Sequence, residues 1–227
     1  MRRPRPLLLV VLGVVLLAVT ACGSQVGAGQ ASEAAAPDEL SPYLPAPLVD
    51  AQAVAIVGDS ITERGAPVLH ERLGGEWALA VDGASGFRVA EQLSAAAELA
   101  SGHPDQVVVN LGTNDVLHGK PPEAAVADLR QLVGLFPDAR CVHVVTINEQ
   151  MALVPGDLAT PSMALNAGIR ALADADPRID VVDWAGTVRA DDADQHDEAL
   201  VHDTVHPSAR GDRVLADLYA DALAGCR

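Results

Sequence analysis

Five short runs of small and β-branched apolar residues, at 53–57, 77–81, 106–111, 141–147 and 179–182, each give way to a stretch whose apolar residues recur three and four apart. The second kind of stretch covers 61–73, 87–100, 123–136, 161–173 and 208–224; in the last, Val214, Leu215, Leu218 and Leu223 form the stripe and Pro207 precedes the first turn. Strand then helix, repeated in this way, predicts a parallel sheet with right-handed crossovers and helices on both faces. The first run, Ala53-Val54-Ala55-Ile56-Val57, shows no polar alternation, as suits a strand covered on both sides. The expected class is therefore α/β, a five-stranded parallel sheet in three layers.

An apolar fraction of 49% in 227 residues suffices for one core of ordinary size plus a leader. The formal charge is −16, and without Arg2, Arg3 and Arg5 of the leader 12 basic residues face 31 acidic ones, or −19. Such a surface repels phosphate backbones and anionic headgroups, which argues against a nucleic-acid partner; its ordinary consequence is solubility. Aromatic residues make up only 3%, so no broad stacking platform for sugars is visible.

Arg2, Arg3 and Arg5 precede an apolar run at 7–19 that is followed by small residues, the layout of a secretory signal peptide over 1–21. The run is shorter than the about 20 residues that span a bilayer. The chain is thus expected to be exported. Val19-Thr20-Ala21-Cys22-Gly23 resembles the lipobox of bacterial lipoproteins, which implies cleavage before Cys22 and a lipid anchor on the outer side of the cell membrane. The alternative is a secreted protein without the lipid. Residues 22–50 are rich in Gly, Ala, Ser, Gln and Pro and read as a flexible tether, leaving 51–227 as the folded domain.

Cys141 opens the fourth strand and Cys226 ends the last helix. Because helices run back antiparallel to the strands, both cysteines belong at the sheet edge opposite the strands' carboxyl ends. A disulfide between them is geometrically allowed and suits export.

The segments at the strands' carboxyl ends are more informative. After the first strand comes Gly58-Asp59-Ser60, after the second Asp82-Gly83-Ala84-Ser85-Gly86, after the third Gly112-Thr113-Asn114-Asp115, and before the last helix Asp203-Thr204-Val205-His206-Pro207. In an open α/β sheet these meet at one edge, where ligands bind. Ester hydrolysis needs an activated hydroxyl, a base, a group that orients the base, and donors for the oxyanion, and each role has a candidate here. Each motif also has an ordinary structural reading: Ser60-Ile61-Thr62-Glu63 fits a helix capping box, Asn114 an Asx turn, and Asp203 a loop charge near a helix start.

Taken together, the set resembles the SGNH or GDSL-type hydrolases, whose blocks carry Ser, Gly, Asn and His, and the likeness runs from Ala53 to the last helix. It implies a flavodoxin-like α/β/α fold. It also implies Ser60 as nucleophile, His206 as general base and Asp203 as the carboxylate behind it. The backbone N–H groups of Ser60 and Gly86 and the amide of Asn114 become oxyanion donors. Gly86 is preferred to Gly83 because it leads into the helix, where N–H groups are free; Gly83 then simply turns the chain. Asp82 stands where many relatives carry asparagine.

A metal site is conceivable from His202 and His206 with His196 and Asp197, but Thr204, Val205 and Pro207 make a poor helix interior, so no metal is assigned and no cofactor is implied. The acidic run 191–198 reads as a solvated loop. Arg88 and Asn148 are candidates to bind substrate, as is Arg64, with surface charge the other reading for the arginines. The loops at 149–159 and 185–201 are expected to set specificity. The expected function is a serine esterase acting on acyl, including acetyl, esters of an envelope glycan or lipid. An acyltransferase with the same residues and a non-catalytic anchored binding module remain as alternatives.

Overall fold

The computed structural model describes residues 51–194 and 198–226. The leader, the tether with Cys22, and His196 and Asp197 lie outside the described residues. The strands are β1 (Ala53–Gly58), β2 (Ala78–Gly83), β3 (Gln106–Asn110), β4 (Cys141–Val145) and β5 (Ile179–Val182), all parallel, in the order β2-β1-β3-β4-β5. This is a flavodoxin-like order. The helices are α1 (Ser60–Leu73), α2 (Leu93–Ser101), α3 (Thr113–Leu117), α4 (Pro122–Val133), α5 (Ala159–Ala175), α6 (Trp184–Asp194) and α7 (Ala209–Gly225).

Handedness explains the layers. From β1 the chain steps one way to β2 and from there always the other way, so right-handed crossovers put α1 on one face and α2, α4 and α5 on the opposite face. Strand side chains divide in the same way. Ala55, Val57, Val107, Val109, Val142 and Val144 face the core built with α2, α4 and α5. Val54, Ile56, Val108 and Val145 face the other core, which α1, α6 and α7 close with Leu69, Leu73, Trp184, Val188, Leu215 and Tyr219. A strand buried on both sides has no solvent face, hence the continuous apolar runs. Each fully buried valine or leucine contributes roughly 1.5–3 kcal/mol.

Two helices differ from expectation. The first part of the 185–201 stretch, expected as loop, belongs to α6, whose polar face hides the periodicity, and Asp191 near its end is buried against Arg210 at 2.7 and 2.9 Å. The start of the acidic run is therefore a helix end paired with α7, not a solvated loop. The stretch expected as helix from residue 87 begins only with a 3-10 turn at Val89–Gln92 before α2.

At the amino-terminal edge of the sheet Cys141 and Cys226 are bonded, with Cα atoms 6.0 Å apart. Beside them Gln106, wholly buried, donates to Gln52 Oε1 at 2.7 Å and to the Leu223 carbonyl at 3.3 Å and meets His143 Nε2 at 3.0 Å. Disulfide and buried amide together tie the end of α7 to the sheet. No helix among the described residues is long and apolar enough to cross a membrane.

Candidate active site

Register sets the site's position. Gly58, the last residue of β1, is level with Gly83 of β2 and Asn110 of β3, so the segments after these strands emerge at one edge. β1 and β3 leave the sheet in opposite winding directions, and the crevice between their carboxyl ends is the usual ligand position in such a sheet.

Asp59 caps α1, its Oδ1 accepting from the Ile61 N–H at 3.0 Å. The capping box that is the ordinary structural reading of Ser60 and Glu63 does not form: Ser60 is the first helical residue, and Glu63 instead accepts from the Ser85 hydroxyl. Relieved of capping, Ser60 Oγ lies 2.9 Å from His206 Nε2. His206 Nδ1 lies 2.7 Å from Asp203 Oδ2. Burial raises the Asp203 pKa, but the backbone N–H of His206, its imidazole and the N–H of Val205 outweigh it and bring the carboxyl to about 2. An ionised Asp203 accepts from Nδ1–H, which leaves Nε2 as an acceptor for the serine hydroxyl.

The three-residue spacing from Asp203 to His206 is closed locally. Asp203 Oδ1 accepts from the N–H groups of Val205 and His206 at 3.0 and 2.7 Å, while Thr204 takes a left-handed conformation, φ 69°. That conformation is strained for a β-branched residue and needs support from its surroundings. The support comes from the loop after β4. Asn148 donates to the Thr204 carbonyl at 2.8 Å, and the N–H of Ala152 donates to Thr204 Oγ1 at 2.8 Å.

Gly86 has φ 79°, which only glycine adopts freely, and its N–H has no protein acceptor among the described residues. It is not at a helix start, the first helical turn beginning three residues later. Gly83 does not turn the chain: it ends β2, where a Cβ would run into the backbone of Glu63 on α1. Asn114, in the first turn of α3, is buried and donates Nδ2 to Asp59 Oδ2 at 3.1 Å and to the Phe87 carbonyl at 3.0 Å. Its neighbour Asp115 accepts from the Val89 N–H at 2.9 Å and pairs with Lys120 at 2.9 Å, fastening the segment after Gly86 to α3. Asp82 accepts from Gln92 Nε2 at 3.2 Å.

Of the candidate substrate ligands, Arg88 and Asn148 make contacts within the protein. Arg88 pairs with Glu91 at 2.7 Å, and Arg64 is on the exposed side of α1. Asn148 is buried, its carbonyl taken by the Gln150 N–H and its amide by the Thr204 carbonyl, so it braces the neighbouring loop. His202 Nδ1 meets the Pro207 carbonyl at 3.1 Å and its Nε2 lies 3.6 Å from Asp203 Oδ2. Among the described residues no group of three His, Cys, Asp or Glu is placed to hold a metal. No local pattern signals Ala152 or the Asp59–Asn114 contact, and Thr204 is signalled only by the two β-branched residues inside Asp-x-x-His.

Fold and site define an α/β enzyme of the carboxylic ester hydrolase class. The chain belongs to the GDSL-like lipase/acylhydrolase family, which it matches over residues 56–214. Among solved structures it is similar to a lipolytic protein of the G-D-S-L family from Veillonella parvula, with 20% identity, 77% of this chain and 100% of that one covered, and TM-score 0.64. An α/β hydrolase from the metagenome of Lake Arreo, Spain, gives 20% identity, 78% and 96% coverage and TM-score 0.65. The C-terminal catalytic domain of a peptidoglycan O-acetyltransferase from Streptococcus pneumoniae gives 21%, 78% and 94% coverage and 0.58. At these identities the likeness concerns the fold. Comparison with curated proteins gives no match.

Proposed function

We propose that the chain is a serine esterase that cleaves acyl esters through an acyl-enzyme on Ser60, with His206 as base and Asp203 as its orienting carboxylate. The observation that carries this reading is the relay Ser60–His206–Asp203, with contacts of 2.9 and 2.7 Å, at the carboxyl edge of the sheet. Ser60 Oγ attacks the ester carbonyl carbon while His206 Nε2 takes its proton, and the carbonyl π electrons move to the oxygen. The N–H groups of Ser60 and Gly86 and the Asn114 amide receive that charge. On collapse the C–O bond to the alcohol breaks, and His206 returns the proton to the leaving oxygen. Water then attacks the acyl-serine by the same route and frees the acid. No step requires a metal or an organic cofactor.

The test is labelling of the domain with a fluorophosphonate, followed by mass mapping. A single adduct on Ser60, absent from Ser60→Ala, is expected; a folded domain that takes no label would favour a binding module. Activity against acetyl and longer acyl esters then defines the chain length. The reading places the protein outside the cytoplasm, tethered through lipid on Cys22 and facing O-acylated envelope glycans or lipid esters. Incorporation of labelled fatty acid into the full chain and its loss in Cys22→Ala test the anchor.

Transfer to a sugar hydroxyl in place of water is the second reading, favoured by the resemblance in fold to the peptidoglycan O-acetyltransferase domain. Product analysis with an added acceptor alcohol separates the two.

A further inference from the structure

We propose that the carboxylate of Asp59 is a positioning group for Asn114, fixing which face of its amide is offered to the oxyanion; the inference rests on the esterase reading above. Asp59 is 1% exposed and has no ion-pair partner among the described residues. A helix cap alone does not require such a group. Asn or Ser caps as well as Asp, needs one oxygen, and avoids the cost of burying a charge. Here Oδ1 already completes the cap to the Ile61 N–H, and the second oxygen goes to Asn114 Nδ2 at 3.1 Å.

That second contact has a chemical consequence. When ionised the Asp59 carboxyl only accepts, so together with the Phe87 carbonyl it selects the Nδ2 side of the Asn114 amide and disfavours the flipped state, in which Oδ1 would face Asp59 and the developing oxyanion. Nδ2 carries two protons. One is held by Asp59 and sets the amide plane. The other rests on the Phe87 carbonyl at 3.0 Å, one residue past Gly86, and is the proton available to the oxyanion when substrate binds. Asp59 thus acts through Asn114 and has no contact of its own with the reacting atoms. Its other charged or titratable surroundings are Asp115 on α3 and Tyr219 on α7.

Asp59→Asn keeps an acceptor for Ile61 but removes the acceptor-only oxygen. Measured at about pH 8, where Asp59 is ionised, its kcat should fall about tenfold or more with KM changed less than about threefold, because the contact matters only once charge develops. Asn114→Ala should lower kcat about 10²–10³-fold, and adding Asp59→Asn to it should cost nothing further. A double variant whose loss equals the product of the single losses would overturn the proposal and leave Ser60 labelling, and so the esterase reading, intact. Full activity in Asn114→Ala alone would remove the oxyanion role on which the proposal stands. In the unaltered protein, the side-chain amide resonance of Asn114 should move as Asp59 titrates, and an unmoved resonance overturns the proposal without any variant.

Discussion

Asn148 donates its side-chain amide to the carbonyl of Thr204 at 2.8 Å, joining the loop after β4 to the turn that holds Asp203 and His206. The contact spans 56 positions of sequence and sets a backbone carbonyl between two groups of the proposed relay. Without it, the left-handed Thr204 loses half of the clamp that offsets its strain.

Asn148→Ala should therefore lower kcat about tenfold with little change in KM, since it disturbs the base and not a substrate contact. Steady-state kinetics on a soluble ester check this. A rise in KM at constant kcat would return Asn148 to the substrate pocket.

The Cys141–Cys226 disulfide closes a separation of 85 residues at the edge remote from Ser60. In the chain-entropy view such a cross-link is worth about 4–5 kcal/mol. The double serine variant should melt roughly 10 °C lower yet retain kcat at a temperature where it is folded. Calorimetry together with activity measured well below the melting range would show both halves of this outcome.

Burial raises the Asp59 pKa from 3.8 to about 7, chiefly by desolvation. A carboxyl that titrates higher folded than unfolded binds more protons in the native state, so its contribution is fully present below the unfolded value and is lost as pH rises from about 4 to about 7. Asp59→Asn should remove that descending part of the stability profile. Denaturant melts at about pH 5 and about pH 8, on either side of most of that loss, should show a larger gain for the variant at the higher pH, alongside the lower kcat expected of it.

Arg210 holds Asp191 bidentately and also donates to the Glu198 carbonyl at 3.0 Å. Removing it takes two charge-assisted hydrogen bonds from a carboxylate buried between α6 and α7 and one from the Glu198 carbonyl. Arg210→Ala should cost about 1–3 kcal/mol, read as a lower urea midpoint at unchanged slope. An unchanged midpoint would mean that these hydrogen bonds add nothing to stability.

The fold was legible because its signals are local. Unbroken runs such as Ala53 to Val57 report burial on two faces, and the spacing of Val214, Leu215 and Leu218 reports one helix face. The boundaries of α6 were not legible, because a short helix whose exposed side is acidic has too few apolar positions to show a period. The same limit hid the 3-10 start of the segment after Gly86.

By itself the sequence determined the order of strands and helices, the residues at each strand's end, and through them the family. Tertiary structure alone decided which of those residues touch. That the second oxygen of Asp59 meets Asn114 and that Asn148 braces Thr204 both depend on strands becoming neighbours and on loops from distant positions meeting at one edge. The reason is physical: local pattern records how much of a side chain is to be buried, whereas a hydrogen bond across 55 residues exists only once the sheet's register has set the distance.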